Sequence, residues 1–352
     1  MRKYFYSLMT DRIHTPVAKA IQGVLWLFSI LYGVVVRALV LIYKFRLAPS
    51  CRLGKPVISI GNITLGGVGK TPLVECVVRF LKDKGLEPVV LIRGYGADKQ
   101  VGSDEAKLLE ESLPGIPVLV GANRVKNARD FLTRNAADVF VLDDGFQHWR
   151  LRRDLDIVAI NATNPFGNRH LLPRGILREP LSALRRADIF VLTKTEIDSY
   201  LVELAKSKLK ILHPAALIVK TVHQPLHFTA LTNSKTIFDL LSLKGKTVCA
   251  LCSIGDPDSF VKMLSGLDLE VRHSFSFLDH HVYTQKDIQG VMDFCRAQQV
   301  GTLVTTEKDA VKLRQFAGSF DNSISVFVLK IQIDIVDGKE DFLKRLLKAG
   351  RV

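Results

Sequence analysis

Residues Thr64 to Thr71 read TLGGVGKT and follow the apolar run Val57 to Ile60 through Gly61, Asn62 and Ile63. A strand feeding a glycine-rich turn that ends in Lys-Thr, with a helix opening there, is the setting a phosphate-binding loop requires. Backbone N–H groups of such a turn surround phosphate oxygens, and the helix amino terminus adds positive potential. Lys70 would reach the β and γ phosphates of a nucleoside triphosphate, while Thr71 offers a hydroxyl to magnesium. The candidate nucleotide-binding residues are therefore Thr64, Leu65, Gly66, Gly67, Val68, Gly69, Lys70 and Thr71, with Thr71 also a candidate metal ligand. The strict pattern has glycine where this chain has Thr64, but Gly66 and Gly67 still supply a permissive backbone.

A second element fits the same chemistry. The run Val139 to Leu142 ends in Asp143 and Asp144. An aspartate at a strand tip can hold magnesium directly or through water, so both are candidate metal ligands. Strand tips of open α/β sheets are also where ligands bind. Further runs at Pro88 to Ile92, Ile157 to Ile160 and Ile189 to Leu192 alternate with helical segments, the pattern of a parallel α/β sheet. A smaller second set follows, with strands at Thr247 to Cys252, Thr302 to Thr305 and Val326 to Leu329 and helices at Pro257 to Leu264 and Gln285 to Ala297. The segment Leu209 to Leu231 is strand-like and rich in prolines and histidines, and the junction is expected within or just after it. The reading is thus a P-loop NTPase-like core over 51–230, a smaller α/β lobe over 231–352, and an amino-terminal helical segment over 1–50.

That amino-terminal segment carries 17 consecutive residues without formal charge, Ala20 to Val36. As a helix they span about 26 Å, just short of a bilayer core. Extending the stretch to Tyr43 places Arg37 inside a span at a cost of a few kcal/mol. On a helical wheel Lys19, Gln22, Ser29, Gly33, Arg37 and Lys44 share one narrow sector, and the rest is apolar. A helix lying in the membrane interface, stripe toward protein or headgroups, is favoured over a crossing. Trp26, Tyr32 and Tyr43 are read as interface aromatics. No small-residue cleavage site follows, which argues against a signal peptide. Lys44, Arg46, Arg52 and Lys55 mark the cytoplasmic side.

The whole chain of 352 residues is 47% hydrophobic with a net charge of +14. That pairing suits an enzyme working at an anionic lipid surface. Nucleic acid is disfavoured as a partner, because the basic residues are scattered without a recognition motif. The five cysteines suggest reduced thiols, and Cys249 with Cys252 read as core residues rather than half of a zinc site.

These elements leave the phosphate acceptor open among kinase, GTPase switch and transport ATPase. Further segments, in order and over nearly the whole chain, resemble the tetraacyldisaccharide 4′-kinase (lipid A 4′-kinase) family. They are Gly61-Asn62, Arg93-Gly94-Tyr95-Gly96, Asp104-Glu105, Arg124, Asp143-Asp144-Gly145-Phe146-Gln147-His148, Leu177-Arg178-Glu179-Pro180, Thr193-Lys194, Asp279-His280-His281 and Thr305-Thr306-Glu307-Lys308-Asp309. The resemblance implies a monotopic inner-membrane enzyme of lipopolysaccharide synthesis. It would move the γ-phosphate of ATP to the 4′-hydroxyl of a lipid-disaccharide 1-phosphate, forming lipid IVA at the cytoplasmic leaflet. It implies Asp104 as the base, with His280 as its partner from the other lobe and closure as a gate, although an Asp here would also suit a helix cap. Lys70 completes the implied catalytic set. Arg178 and Glu179 are implied near the nucleotide, and Arg93, Tyr95, Arg124 and His148 near phosphate or sugar. One element points elsewhere: Thr193-Lys194-Thr195-Glu196 resembles the guanine-reading T-K-x-D of P-loop GTPases, with Glu in place of Asp. A membrane-associated switch GTPase, a metallochaperone-type NTPase and a partner-coupled ATPase are the alternatives.

Overall fold

The apolar runs of the first half become strands with no solvated side, as a parallel sheet covered on both faces demands. In a computed structural model describing residues 2–94, 103–320 and 323–351, these five strands pair with two less buried ones in a seven-stranded array. They are β1 (Val57–Gly61), β2 (Pro88–Ile92), β3 (Val118–Val120), β4 (Val139–Asp143), β5 (Leu155–Asn161), β6 (Ile189–Thr193) and β7 (Leu217–Ala230). Their order is β3–β2–β4–β1–β5–β6–β7, all parallel. Every residue of β1, β2, β4 and β6 is buried. Because β1 lies between β4 and β5, the winding reverses at its carboxyl end, which is where such sheets accept ligands.

The first compact unit comprises Met1–Arg93, Leu113–Val222 and Asp334–Val352. Its helices are α1 (Arg2–Met9), α2 (Pro16–Lys44), α3 (Lys70–Asp83), α5 (Arg124–Leu132), α6 (Ser199–Leu212) and α10 (Lys339–Gly350). The second unit comprises Gly94–Ser112 and His223–Ile333. It contains α4 (Asp104–Ser112), β8 (Ile237–Phe238), β9 (Thr247–Cys252), α7 (Pro257–Gly266), β10 (Glu270–Ser276), α8 (Gln285–Ala297), β11 (Thr302–Thr306), α9 (Glu307–Leu313) and most of β12 (Ser325–Asp337). Here β10–β9–β11–β12 run parallel, and β8 pairs antiparallel with the end of β7.

These units are not the contiguous lobes expected from sequence. Residues 94–112 cluster with the second unit, and residues 334–352 return to the first, where Phe342 and Leu346 of α10 are fully buried. One boundary between the units falls after Val222, and the segment Leu209 to Leu231 is not all strand. Leu209 to Leu212 finish α6, whose buried Val202, Ala205 and Leu209 keep helical spacing. β10 was hidden because its residues are mostly partly exposed and mixed in polarity. Cys249 and Cys252 are both fully buried in β9, as core thiols.

α2 is capped by Thr15, whose side chain accepts from Ala18 N–H, and Pro16 opens its first turn. The helix has 29 residues and mean hydropathy 2.3, yet only 17% of that apolar window is buried. Burial falls on Ala18, Leu25, Ser29 and Gly33, a single helical stripe that includes two of the polar-sector residues. Gln22 also turns inward, donating to the Leu8 carbonyl at 3.1 Å and Asp11 at 3.0 Å. Of the three aromatics read as interfacial, Trp26 is exposed. The Tyr32 hydroxyl instead donates to a protein carbonyl, and Tyr43 stacks on Trp149 with ring centroids 6.0 Å apart.

Gly61 ends β1 where a Cβ would stand 2.6 Å from Phe146 Cβ and 2.7 Å from Phe146 N. Phe146 is itself fully buried, so neither group has room to retreat. Gly61→Ala is expected to destabilise the fold by about 1–3 kcal/mol, seen as a lower thermal midpoint; an unchanged midpoint would show that the turn after β4 yields.

Candidate functional site

The loop after β1 is shaped by glycine at two points. Gly66 has φ 106 and Gly69 φ 80, both in the left-handed half of conformational space, and α3 starts at Lys70 directly afterwards. Thr64 needs no such freedom. It is buried and bridges Leu177, while Leu65 N–H donates to the Ile176 carbonyl at 2.8 Å. The departure from glycine at this position is thus explained by an extended backbone paired to a neighbouring turn. Val68 is fixed by Thr193, whose hydroxyl donates to its carbonyl at 2.9 Å, so the T-K-T-E element braces the loop from the tip of β6.

Lys70 and the acidic pair converge. Lys70 Nζ donates to Asn62 Oδ1 at 3.1 Å and lies 3.5 Å from Asp144 Oδ1. Arg178 grips both Asp144 oxygens, at 2.8 and 3.0 Å, and donates to Asn62 at 3.3 Å. Burial alone would raise the Asp144 pKa, but Lys70 and Arg178 outweigh it and hold the carboxyl far below the usual range. Asp144 also has φ 48, and its N–H donates to Asp143 Oδ1 at 2.9 Å. Buried Arg124 donates to the Asp143 carbonyl at 3.2 Å and to His148 Nδ1 at 3.2 Å. The same surroundings place the Glu179 carboxylate, almost wholly buried, as counter-ion to Arg186 at 2.9 Å. Arg93 is exposed just beyond β2, and Tyr95 lies outside the described residues.

Among the described residues, no group of three or more His, Cys, Asp or Glu could hold a metal by itself. Thr71, Asp143 and Asp144 carry the oxygen donors a magnesium ion takes, and that cation needs few protein ligands, filling the rest with water and phosphate oxygens.

In the second unit, Asp104 opens α4 and its carboxylate lies 4.0 Å from Lys312 Nζ. Lys312 is buried, 3.1 Å from Asp309 Oδ1, and donates to the His281 carbonyl at 3.1 Å and to the Ser253 hydroxyl. Asp309 accepts in turn from Tyr283 Oη at 3.0 Å and Thr306 Oγ1 at 2.7 Å. Glu105, one residue on, stands 3.9 Å from both Lys308 and His280. Lys308 donates to Asp279 at 2.8 Å; burial opposes its charge, but Asp279 and Glu105 prevail and raise its pKa. His280 belongs to the same compact unit as Asp104, not to an opposite one, and its imidazole meets Glu105 and Asp279 at 3.9 Å, not Asp104. Its backbone φ of 58 is uncommon outside glycine. His281 stacks on Phe277 and pairs with Asp287 at 3.1 Å.

Sequence reasoning overlooked Asn62 as the shared acceptor, Lys312 beside Asp104, and Tyr32. The first had a signal in Gly61-Asn62 next to the loop; the others depend on contacts remote in sequence.

His148 yields a pH prediction. Burial, followed by the nearby positive charges of Arg124, Arg153, Arg150 and Arg93, lowers its pKa to about 4. Between that value and the ordinary 6.5 the unfolded chain binds a proton that the folded one refuses, so stability rises with pH across this window. His148→Gln should flatten that rise in urea unfolding, and the wild-type imidazole should stay neutral by NMR at pH 5.5; a midpoint at the ordinary value would refute the assignment.

Comparison with known proteins finds relatives over nearly the whole chain. A family model described as Tetraacyldisaccharide-1-P 4'-kinase matches residues 21–351. The tetraacyldisaccharide 4'-kinase of Syntrophus aciditrophicus is 39% identical over 312 residues, covering 81% of this chain and 83% of that protein. That of Halothermothrix orenii is 34% identical, covering 95% and 96%. The crystal structure of LpxK from Aquifex aeolicus in complex with ATP matches with TM-score 0.71 and 28% identity, over 94% of this chain and 99% of that one. With a family model over nearly its full length and relatives of this similarity, the chain belongs to the tetraacyldisaccharide 4′-kinase family.

Proposed function

We propose that this protein transfers the γ-phosphoryl group of ATP to the 4′-hydroxyl of a tetraacyldisaccharide 1-phosphate, giving lipid IVA and ADP. The observation that carries the reading is the convergence of Lys70, Asn62, Asp144 and Arg178 at the tips of β1 and β4, in a chain of this family. Phosphoryl transfer asks little covalent work of the protein; positioning and charge neutralisation dominate. Backbone N–H groups of residues 66–71 and Lys70 would hold the phosphates. Magnesium, held by Thr71 with Asp143 and Asp144, would neutralise charge on the β and γ oxygens. The 4′-oxygen forms its bond to the γ phosphorus as the bond to the bridging oxygen breaks, and its proton passes to a carboxylate. Asp104 is the proposed acceptor, with buried Lys312 at 4.0 Å as the charge beside it. His280 is assigned a supporting role through Glu105. Arg93, Tyr95, Arg124 and His148 are assigned to the acceptor side. Family membership favours this kinase over the GTPase, metallochaperone and coupled-ATPase alternatives.

The exposed apolar face of α2, including Val24, Leu27, Phe28, Leu31 and Val35, supports attachment to the cytoplasmic leaflet without a crossing, because Gln22 and Ser29 of its polar stripe bond to protein while Lys19, Arg37 and Lys44 remain exposed charges costly to bury in a bilayer. Such a helix would bring the enzyme to a lipid-borne acceptor, and the net charge of +14 suits phosphorylated headgroups.

Purified protein in detergent, given ATP, magnesium and tetraacyldisaccharide 1-phosphate, should produce a lipid heavier by one phosphate in mass spectrometry; hydrolysis without phosphorylated lipid would defeat the reading. Asp104→Asn should lower kcat by about 10²–10⁴-fold while ADP affinity is kept, and loss of ADP binding in that variant would remove Asp104 as the base. Membrane-bound protein should be released by detergent and not by salt, with residues on both sides of α2 labelled only from the cytoplasm. Labelling from opposite sides would show a crossing.

A further inference from the structure

The helix α2 meets the nucleotide-binding elements through two hydroxyls. Ser29 Oγ donates to the Leu171 carbonyl at 3.0 Å, and Tyr32 Oη donates to the Arg178 carbonyl at 2.9 Å. Leu171 bridges Leu177, and Leu177 bridges Thr64 at the start of the phosphate loop. Arg178 is consequently held at three points. Its N–H donates to the Ile63 carbonyl at 2.7 Å, its carbonyl accepts from Tyr32, and its guanidinium spans both oxygens of Asp144.

Two-point pairing between guanidinium and carboxylate depends on the orientation of both planar groups. The N–H contact fixes one side of the Arg178 backbone, and the Tyr32 hydroxyl fixes the other. Tyr32 is only partly buried, and its bond ties α2 to the backbone of the residue whose guanidinium pairs with Asp144.

We propose that Tyr32 is a positioning residue for nucleotide binding. Its hydroxyl seats Arg178 on α2 and thereby fixes the array of Asp144, Arg178 and Lys70 that receives the phosphates. The lipid-facing helix is then part of the nucleotide site's frame as well as an anchor. This inference rests on the reading of residues 64–71 as an ATP site.

Tyr32→Phe keeps the ring and removes the bond. Calorimetric titration of the full-length protein in detergent with ADP and magnesium reads binding without turnover. The expected result is affinity weakened by about 2- to 10-fold, a parallel rise in KM for ATP, and kcat, thermal midpoint and sedimentation with phosphatidylglycerol vesicles close to wild type. Leu27→Gln, on the exposed face, should reduce vesicle sedimentation and leave ADP affinity intact. Wild-type affinity in Tyr32→Phe overturns the inference, as does a loss matched by a lower thermal midpoint or an equal loss of ADP affinity in Leu27→Gln. Failure of the wild-type protein to bind ADP would instead overturn the ATP reading itself.

Discussion

The bidentate pair between Arg178 and Asp144 is the interaction on which the remaining site geometry hangs. Asp144 occupies a strained, largely enclosed position at the end of β4 and stays ionised because Arg178 and Lys70 supply compensating charge. An uncompensated carboxylate there would be costly, and it would take up a proton instead. The same pair orients Lys70 through the shared Asn62 acceptor, so phosphate ligand, acid pair and loop entry form one electrostatic assembly. Were phosphates and a divalent cation to enter this assembly, they would bring charges of both signs, and its hydrogen bonds would be redistributed among them.

Much of this was readable because it is local. β1, the glycine turn and the Lys70-Thr71 helix start lie within fifteen residues, from Val57 to Thr71, and each type has a direct steric or electrostatic reason. The polar sector of α2 was visible from helical periodicity, and Gln22, Ser29 and Gly33 do face protein. Tyr32 shows where such reading stops. An aromatic in an apolar helix reads as an interface residue, and only the position of residues 171–178 shows that its hydroxyl has a carbonyl to satisfy.

The acidic helix start at Asp104 was legible as a residue type but not in its company. Lys312 reaches it from a distant helix, within a buried cage of Ser253, Asp309 and Tyr283 whose members are scattered over the second unit. No periodicity announces such a cage. Glu179 is the converse: adjacent to the arginine that grips Asp144, it is consumed by Arg186, which lies 4.2 Å from the Phe146 ring centre and 4.0 Å from that of Trp149. Neighbours in sequence can divide between chemistry and support.

The return of residues 334–352 to the first unit has a consequence for biosynthesis. α10 packs against β1 and α3, the strand and helix that flank the phosphate loop, and it buries Phe342 there. On the ribosome β1 and α3 emerge early and still lack this cover. The nucleotide-binding unit therefore completes its packing only after translation has passed through the second unit, and a chain interrupted beforehand would be left with an exposed, unfinished first unit.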